Sequence, residues 1–181
     1  MKPLQILITG ALSCSFSIDQ TPASTDSAYA VRSTMLVGMA APGTETGRFE
    51  YIGTSVMNNN GDIAFGARIS NSEFSSGLFL LTKGEVVKIA LNGEAAPYLG
   101  GVPYSEDFAY ANISLNDLGQ VAFESQTGGW TNTNGPSCGV FYYRANDVMP
   151  IALFPPFARG VPDYITGVSL NNNWQIAFSK Y

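Results

Sequence analysis

Three short stretches of nearly the same sequence constrain the fold of this chain more than any other feature. They read "NNNGDIAF" from Asn58, "NDLGQVAF" from Asn116 and "NNNWQIAF" from Asn171, so the copies begin 58 and then 55 positions apart. Self-similarity at a nearly fixed period is typical of tandem units that stack on one another. We therefore predict a repeat architecture.

The first half of the motif predicts a hairpin turn. An asparagine side chain can bond to the backbone two residues further on, and a glycine three positions later can adopt the left-handed conformation that closes the turn. Asn58 with Gly61 and Asn116 with Gly119 fit this pattern. In the third copy Trp174 replaces the glycine, so a normal left-handed turn is not expected there.

The second half of the motif predicts strands that are covered on both faces. Three apolar residues follow one another, whereas a strand with one face in water alternates apolar and polar residues. We expect the phenylalanines of the motif to fill one layer between sheets and its alanines to let the opposite sheet approach closely. The motif is thus predicted to be structural at twelve positions: Asn58, Gly61, Ala64, Phe65, Asn116, Gly119, Ala122, Phe123, Asn171, Trp174, Ala177 and Phe178.

A larger unit surrounds each motif. "AAPG" at 40–43 is matched by "AAPY" at 95–98, and "GLFLLTKGEVVKIAL" from Gly77 is matched by "GVFYYRANDVMPIAL" from Gly139. No window has the apolar period of a helix, and short apolar runs alternate with Gly, Asn and Pro, as in all-β proteins. Each unit indicates four antiparallel strands, the content of one β-propeller blade. The predicted fold is all-β, a β-propeller-like array of about three four-stranded antiparallel blades, incomplete or completed by oligomerisation.

The predicted boundaries follow from this unit. The β-repeat domain, 28–181, divides into blade repeats at about 40–97, 98–155 and 156–181, with 28–39 as the outer strands of a partial blade. Because open sheet edges favour association, we expect a homodimer or a part of a longer propeller. The predicted strands span residues 28–32, 34–39, 51–57, 62–69, 77–82, 86–91, 109–115, 120–125, 139–144, 148–154, 165–170 and 175–179.

The start of the chain predicts export. Lys2 precedes an apolar stretch at 3–13, which is too short to span a bilayer and fits a signal peptide at 1–17. A polar spacer follows at 18–27. "ALSC" also resembles the lipid-attachment box of bacterial lipoproteins, which would place a lipid on Cys14, and the alternative to export is a buried leading strand. We predict a secreted or cell-surface protein without a membrane span.

Composition excludes several functions. The chain has no histidine, which removes the commonest general base, the usual zinc ligand and every nucleophile that relies on histidine. Its 14 acidic and 9 basic residues are scattered, so no basic patch for nucleic acid is present in the sequence.

Cys138 is predicted to be a buried residue at the start of a strand. The Asn-rich turns lack the carboxylate spacing of a calcium loop, and no metal or cofactor is expected.

The loop "GGWTNTNGPSCG" at 128–139 is the most ligand-like segment, because its Trp130 could stack on a sugar or anchor a protein. The alternative is that Trp130 covers the end of its own core. A glycosidase would need two carboxylates on either side of the scissile bond, and the neighbours Glu106 and Asp107 point in opposite directions if the backbone is extended. We expect a noncatalytic module that binds a carbohydrate or protein ligand or has a structural role, with an exported carbohydrate-active enzyme as the alternative.

The first two motif copies match in full the N-x-x-G-x-x-A-F signature of the bacterial choice-of-anchor tandem-repeat proteins, and "AAPG" with its spacing is also similar to theirs. This resemblance covers about residues 34–181. It implies a secreted or cell-surface protein that is built of β-propeller-like repeats and whose molecular role is unassigned.

Overall fold

The structure, a computed structural model, describes residues 5–6, 30–31, 37–128, 138–154 and 165–180. These residues form an all-β protein in which the one helical element is a single 3-10 turn, η1 (Phe108–Tyr110). The strands build two four-stranded sheets and one two-stranded sheet, all antiparallel, together with a short parallel pair of strands. The predicted all-β class is confirmed, and the described sheets do not close into a ring.

Neighbouring strands along the chain are neighbours in each sheet. The parallel pair is β1 (Gln5–Ile6) and β2 (Ala30–Val31). Sheet one is β3 (Arg48–Met57), β4 (Ile63–Ser70), β5 (Ser76–Thr82) and β6 (Glu85–Leu91). Sheet two is β7 (Ile113–Leu115), β8 (Val121–Gln126), β9 (Cys138–Arg144) and β10 (Asp147–Phe154). Sheet three is β11 (Ile165–Leu170) and β12 (Ile176–Lys180).

Two predicted strands differ from the structure. The strand predicted at 109–115 is confined to β7, because Asp107 accepts a hydrogen bond from the backbone of Ala109 and caps η1 instead. Of the strand predicted at 34–39, residues 37–39 form a turn in which Gly38 has a φ of +94°. In the first of these segments the apolar residues Phe108 and Ala109 are buried within η1, so their apolar character reflects burial rather than extended backbone.

The N-terminal predictions fall largely outside the described residues. Only β1 and β2 are described before residue 37, so the signal peptide at 1–17, the spacer at 18–27, Cys14 and most of the predicted partial blade at 28–39 stay predictions. The ligand-loop residue Trp130 also lies outside the described residues.

The sheets pack face to face through complementary large and small side chains. Between sheets one and two, Phe123 and Phe141 of sheet two lie in one core with Ala64 and Leu80 of sheet one. On the opposite face of sheet two, Ala122 packs with residues of sheet three. Each motif phenylalanine in sheets one and two therefore lies on the face opposite its alanine, and close packing follows from this alternation.

The third motif copy differs from the prediction of a strand covered on both faces. Ala177 and Phe178 are exposed, whereas the equivalent residues of β4 and β8 are fully buried. The reason lies in the architecture of the described residues, because sheet three has two strands and no further sheet packs on its outer face.

Two glycines, Gly53 and Gly66, allow the backbone of η1 to lie close against sheet one. A Cβ atom at Gly66 would lie 1.7 Å from the carbonyl oxygen of Phe108, and a Cβ atom at Gly53 would lie 1.9 Å from that of Ala109. The backbone of η1 therefore lies directly on β3 and β4, where no side chain fits. This contact fixes the connection that carries Glu106 and Asp107 between sheets one and two.

Candidate functional site

The three motif turns are built by the same hydrogen bonds. In the first, the Asn58 Oδ1 atom accepts from the backbone N–H groups of Asn60 at 3.0 Å and Asp62 at 2.9 Å. Gly61 donates its N–H to the Asn58 carbonyl at 3.2 Å. The equivalent side-chain bonds in the second and third turns measure 2.9 to 3.0 Å. The turn chemistry predicted from the motif is thus present in every copy.

The third turn is left-handed despite its tryptophan, contrary to the expectation from the sequence. Trp174 has a φ of +65°, next to +84° for Gly61 and +72° for Gly119. The hydrogen bonds of Asn171 and the pairing of β11 with β12 hold the backbone in this shape. The Arg144 guanidinium lies 4.4 Å above the Trp174 ring, which adds a cation–π contact.

The asparagine side chains also connect one turn to the next. The Asn58 Nδ2 atom donates to the Asn116 carbonyl at 2.9 Å, and the Asn116 Nδ2 atom donates to the Asn171 carbonyl at 3.1 Å. Each amide donates in addition within its own turn, to Asp62 at 2.9 Å and to Gln120 at 2.7 Å. These bonds use both donors and the acceptor of the amide.

A second line of contacts runs beside the first and centres on Asp117. Its carboxylate accepts from the backbone and side chain of Asn59 at 2.9 to 3.0 Å and from Asn172 Nδ2 at 3.1 Å. Its carbonyl accepts from Asn60 Nδ2 at 2.6 Å, and its N–H donates to Asn172 Oδ1 at 2.9 Å. We name both lines together the turn ladder, which consists of Asn58, Asn59, Asn60, Asn116, Asp117, Asn171 and Asn172.

The turn ladder links the three motif turns to one another. Asn58 and Asn116 are buried, and their polar atoms bind the protein itself. The motif predicts the turn, whereas the ladder was not predicted from the sequence. A signal was available at the fifth motif position, where Asp62, Gln120 and Gln175 each accept from the motif asparagine and so orient its amide.

A pair of partly buried carboxyl groups lies at the other end of β8. The Glu124 Oε1 atom accepts from Asn112 Nδ2 at 2.5 Å, and its Oε2 atom is buried without a hydrogen-bond partner in the described residues. The pKa of Glu124 is raised to about 7, mainly because the side chain is buried. The nearby Glu106 carboxylate raises this pKa further, and the hydrogen bond from Asn112 lowers it. Burial also raises the pKa of Glu106, although the N–H of Gln126 donates to it.

Glu124 has a pKa near neutrality and lies near a second carboxyl group, that of Glu106. Two carboxyl groups with these properties can act as an acid–base pair. The geometry at Glu124 instead favours a connection between sheets. Asn112, which binds Oε1, also donates to the carbonyl of Ile165 in sheet three at 3.4 Å, and Oε2 is buried. The neighbouring acids diverge, since Asp107 binds Arg68 at 2.7 Å while Glu106 faces β8.

A cavity of about 220 Å³ lies between β6, the connection at 94–104 and the turn from β9 to β10. The Lys88 ammonium pairs with Glu94 at its edge. The hydroxyl of Tyr104 is buried there without a hydrogen-bond partner in the described residues, and burial raises its pKa. The cavity is smaller than most ligand pockets, and it suits a few water molecules or a small polar group.

The described residues contain no group of three His, Cys, Asp or Glu side chains that could hold a metal ion. In the same part of the chain, no helix has the length and hydropathy needed to cross a membrane. Cys138 is buried at the first position of β9, as predicted.

The fold and the turn ladder define an all-β protein of tandem antiparallel sheets that are joined through asparagine turns. A family model matches residues 16–149, and the chain belongs to that family, which is described as a family of unknown function (DUF7453). Comparisons with curated proteins and with solved structures give no match.

Proposed function

We propose that the chain is a secreted or cell-surface, noncatalytic β-repeat module with a structural role or with a carbohydrate or protein ligand. The turn ladder carries this proposal, because the polar groups that recur in every repeat bind neighbouring repeats rather than a substrate. The resemblance to the choice-of-anchor repeat proteins supports the location.

We propose further that the sheets form a propeller-like array. The first strands of the sheets lie near one another, β3 against β7 and β7 against β11. Adjacent sheets share cores through opposite faces. Both features are typical of blades around a common axis.

Expression in a bacterial host tests the location. We expect the product outside the cytoplasm, with its N-terminus removed between Cys14 and Ser24, because the apolar stretch at 3–13 fits a signal peptide. Intact-mass spectrometry gives the cut site. A cytoplasmic product that still begins at Met1 or Lys2 contradicts the proposal. A glycan array with the purified chain then separates a carbohydrate-binding role from a structural one.

The Glu106 and Glu124 pair supports a second candidate, an exported carbohydrate-active enzyme. The test is the release of reducing sugar from a panel of polysaccharides by the parent, Glu124→Gln, Glu106→Gln and Glu85→Gln. Glu85 is exposed at the start of β6 and serves as the control. If the pair is catalytic, the first two variants lose about 100-fold or more of the rate and the control keeps it. Absence of release by the parent contradicts this candidate.

A further inference from the structure

The first motif turn differs from the other two in one chemically reactive pair of residues. In it Asn60 stands directly before Gly61, whereas the second turn has Leu118 at the position of Asn60, and in the third Asn173 precedes Trp174. An asparagine side chain loses ammonia when the backbone nitrogen of the following residue attacks it. A following glycine hinders this attack least, because it has no side chain and its backbone is free to move. The first turn therefore holds a reactive pair that the other two lack.

Few contacts hold the two reacting groups of this pair apart. Asn60 and Gly61 are both exposed. The N–H of Gly61 donates to the Asn58 carbonyl at 3.2 Å, the long limit of a normal bond of this kind. The Asn60 Nδ2 atom donates to the Asp117 carbonyl at 2.6 Å. Opening of these two bonds in an exposed turn frees the amide and the backbone nitrogen to react.

A second Asn-Gly pair, Asn92 with Gly93, is held more firmly. The N–H of Gly93 donates to the Tyr104 carbonyl at 2.8 Å, and the Asn92 Nδ2 atom donates to the Glu106 carbonyl at 2.8 Å. Both acceptors lie on the connection between sheets one and two, so this pair opens only when that connection moves. The remaining Asn-Gly pair of the sequence, at 134–135, lies outside the described residues. The structure thus ranks Asn60 above Asn92 in reactivity.

We propose that Asn60 is a site of spontaneous deamidation, and that the reaction breaks the bond of the turn ladder between Asn60 and Asp117. The Gly61 nitrogen gives its proton to hydroxide and attacks Cγ of Asn60. A new N–C bond forms, the bond from Cγ to Nδ2 breaks, and Nδ2 leaves as ammonia with a proton from water. Water then opens the succinimide ring at either carbonyl, which leaves aspartate or isoaspartate at position 60.

Both products lose the donor that joins the first turn to Asp117. A carboxylate accepts hydrogen bonds but donates none, so the new group meets the Asp117 carbonyl as a second acceptor. The Asp117 carboxylate adds repulsion between like charges. Isoaspartate also places a methylene group in the main chain, which displaces Gly61 relative to Asn58. This inference goes beyond the proposed function and depends neither on the location of the chain nor on its ligand.

The test is incubation of the purified full chain in mildly alkaline buffer, followed by peptide mapping with mass spectrometry. We expect Asn60 to convert about tenfold faster or more than Asn173, which lies in a turn with the same side-chain bonds but precedes Trp174. Asn60 should also convert faster than Asn92 in the folded chain. In urea the two Asn-Gly pairs should convert at similar rates, because the contacts that hold Asn92 are lost.

Asn60→Leu is the matched variant, since the second turn has Leu118 at this position. After the same incubation, the urea midpoint of the parent should fall with the fraction converted at Asn60, and that of Asn60→Leu should fall less.

Three results overturn the proposal. They are equal conversion of Asn60 and Asn173, conversion of Asn60 no faster than that of Asn92 in the folded chain, and equal loss of stability by the incubated parent and the incubated variant. The first two compare sites within one sample of the parent, so a folding defect of the variant cannot imitate them.

Discussion

At the scale of single residues, Asn58 and Asn116 each have two tasks that use different atoms. The Oδ1 atom closes the asparagine's own turn, and the Nδ2 atom reaches the carbonyl of the next turn. The first task is local and could be predicted from one copy of the motif. The second depends on the placement of neighbouring repeats, which no single copy specifies.

Replacement of Asn116 should cost more stability than a turn bond alone. Asn116→Ala removes the side chain that serves two turns and leaves buried backbone groups without partners, so we expect a loss of about 2–4 kcal/mol in the free energy of unfolding. Asn171→Ala, at the exposed end of the ladder, should cost about 1 kcal/mol. Urea unfolding measures both, and equal losses would show that the link between turns contributes nothing.

The left-handed Trp174 predicts a specific order of stability between two replacements. Trp174→Gly and Trp174→Ala both lose the contact with Arg144, but alanine keeps the Cβ atom that disfavours a φ of +65°. The glycine variant should be more stable by about 1 kcal/mol. Gly119→Ala should lose a similar amount in the second turn. If thermal unfolding ranks the alanine variant at 174 above the glycine variant, the left-handed turn is wrong.

At the scale of elements, the sequence predicted most strands because their signals are local. Turn residues and short apolar runs mark β4, β5, β8 and β9 within one or two positions. The η1 turn was not predicted, because its buried Phe108 and Ala109 resemble a strand and its cap at Asp107 competes with extended backbone. The close contact between Gly66 and η1 could not be predicted either, because the two segments lie more than 40 positions apart in the sequence.

The close contact at Gly66 predicts the effect of a single added methyl group. Gly66→Ala places a Cβ atom where the Phe108 carbonyl lies, so either η1 or β4 must move. We expect a loss of about 2 kcal/mol or more in unfolding free energy. Gly167→Ala is the matched control in β11, where the nearest atom to an added Cβ is 3.9 Å away. Equal stability of the two variants by thermal unfolding would contradict the close approach of η1.

At the scale of the whole molecule, the three motif copies correspond to three antiparallel sheets among the described residues, but the third sheet has two strands there rather than the predicted four. The sequence led us to expect the third strand run to be covered on both faces, because Ile176, Ala177 and Phe178 match the earlier copies. A strand is buried only when other strands and sheets cover it. Among the described residues, sheet three has two strands and no further sheet on its outer face. The carboxyl pair was likewise beyond prediction, since Glu106 comes near Glu124 only when the connection before η1 packs against β8.

Global stability should depend on pH through Glu124. Its pKa is raised to about 7 in the folded protein from about 4.3 in an unfolded chain, so the folded state binds more protons between these values. The contribution of Glu124 to stability is therefore full below about pH 4 and is lost as the pH rises through about 7. Glu124→Gln should flatten this part of the profile of Tm against pH, whereas the exposed Glu85→Gln should not. The assignment is contradicted if the Tm of the parent rises between pH 5 and 7, or if Glu124→Gln and Glu85→Gln have the same profile as the parent.

The turn ladder also gives the molecule a direction. The amides of Asn58 and Asn116 donate forwards to the following turn, at Asn116 and Asn171 respectively, so the middle unit offers a carbonyl to its predecessor and an amide to its successor. Along this line of amides, a unit inserted between two others, or removed from between them, therefore leaves the same donor facing the same acceptor. Duplication or deletion of a unit therefore lengthens or shortens the amide line without a new kind of contact, whereas the line through Asp117 needs a carboxylate between two asparagines.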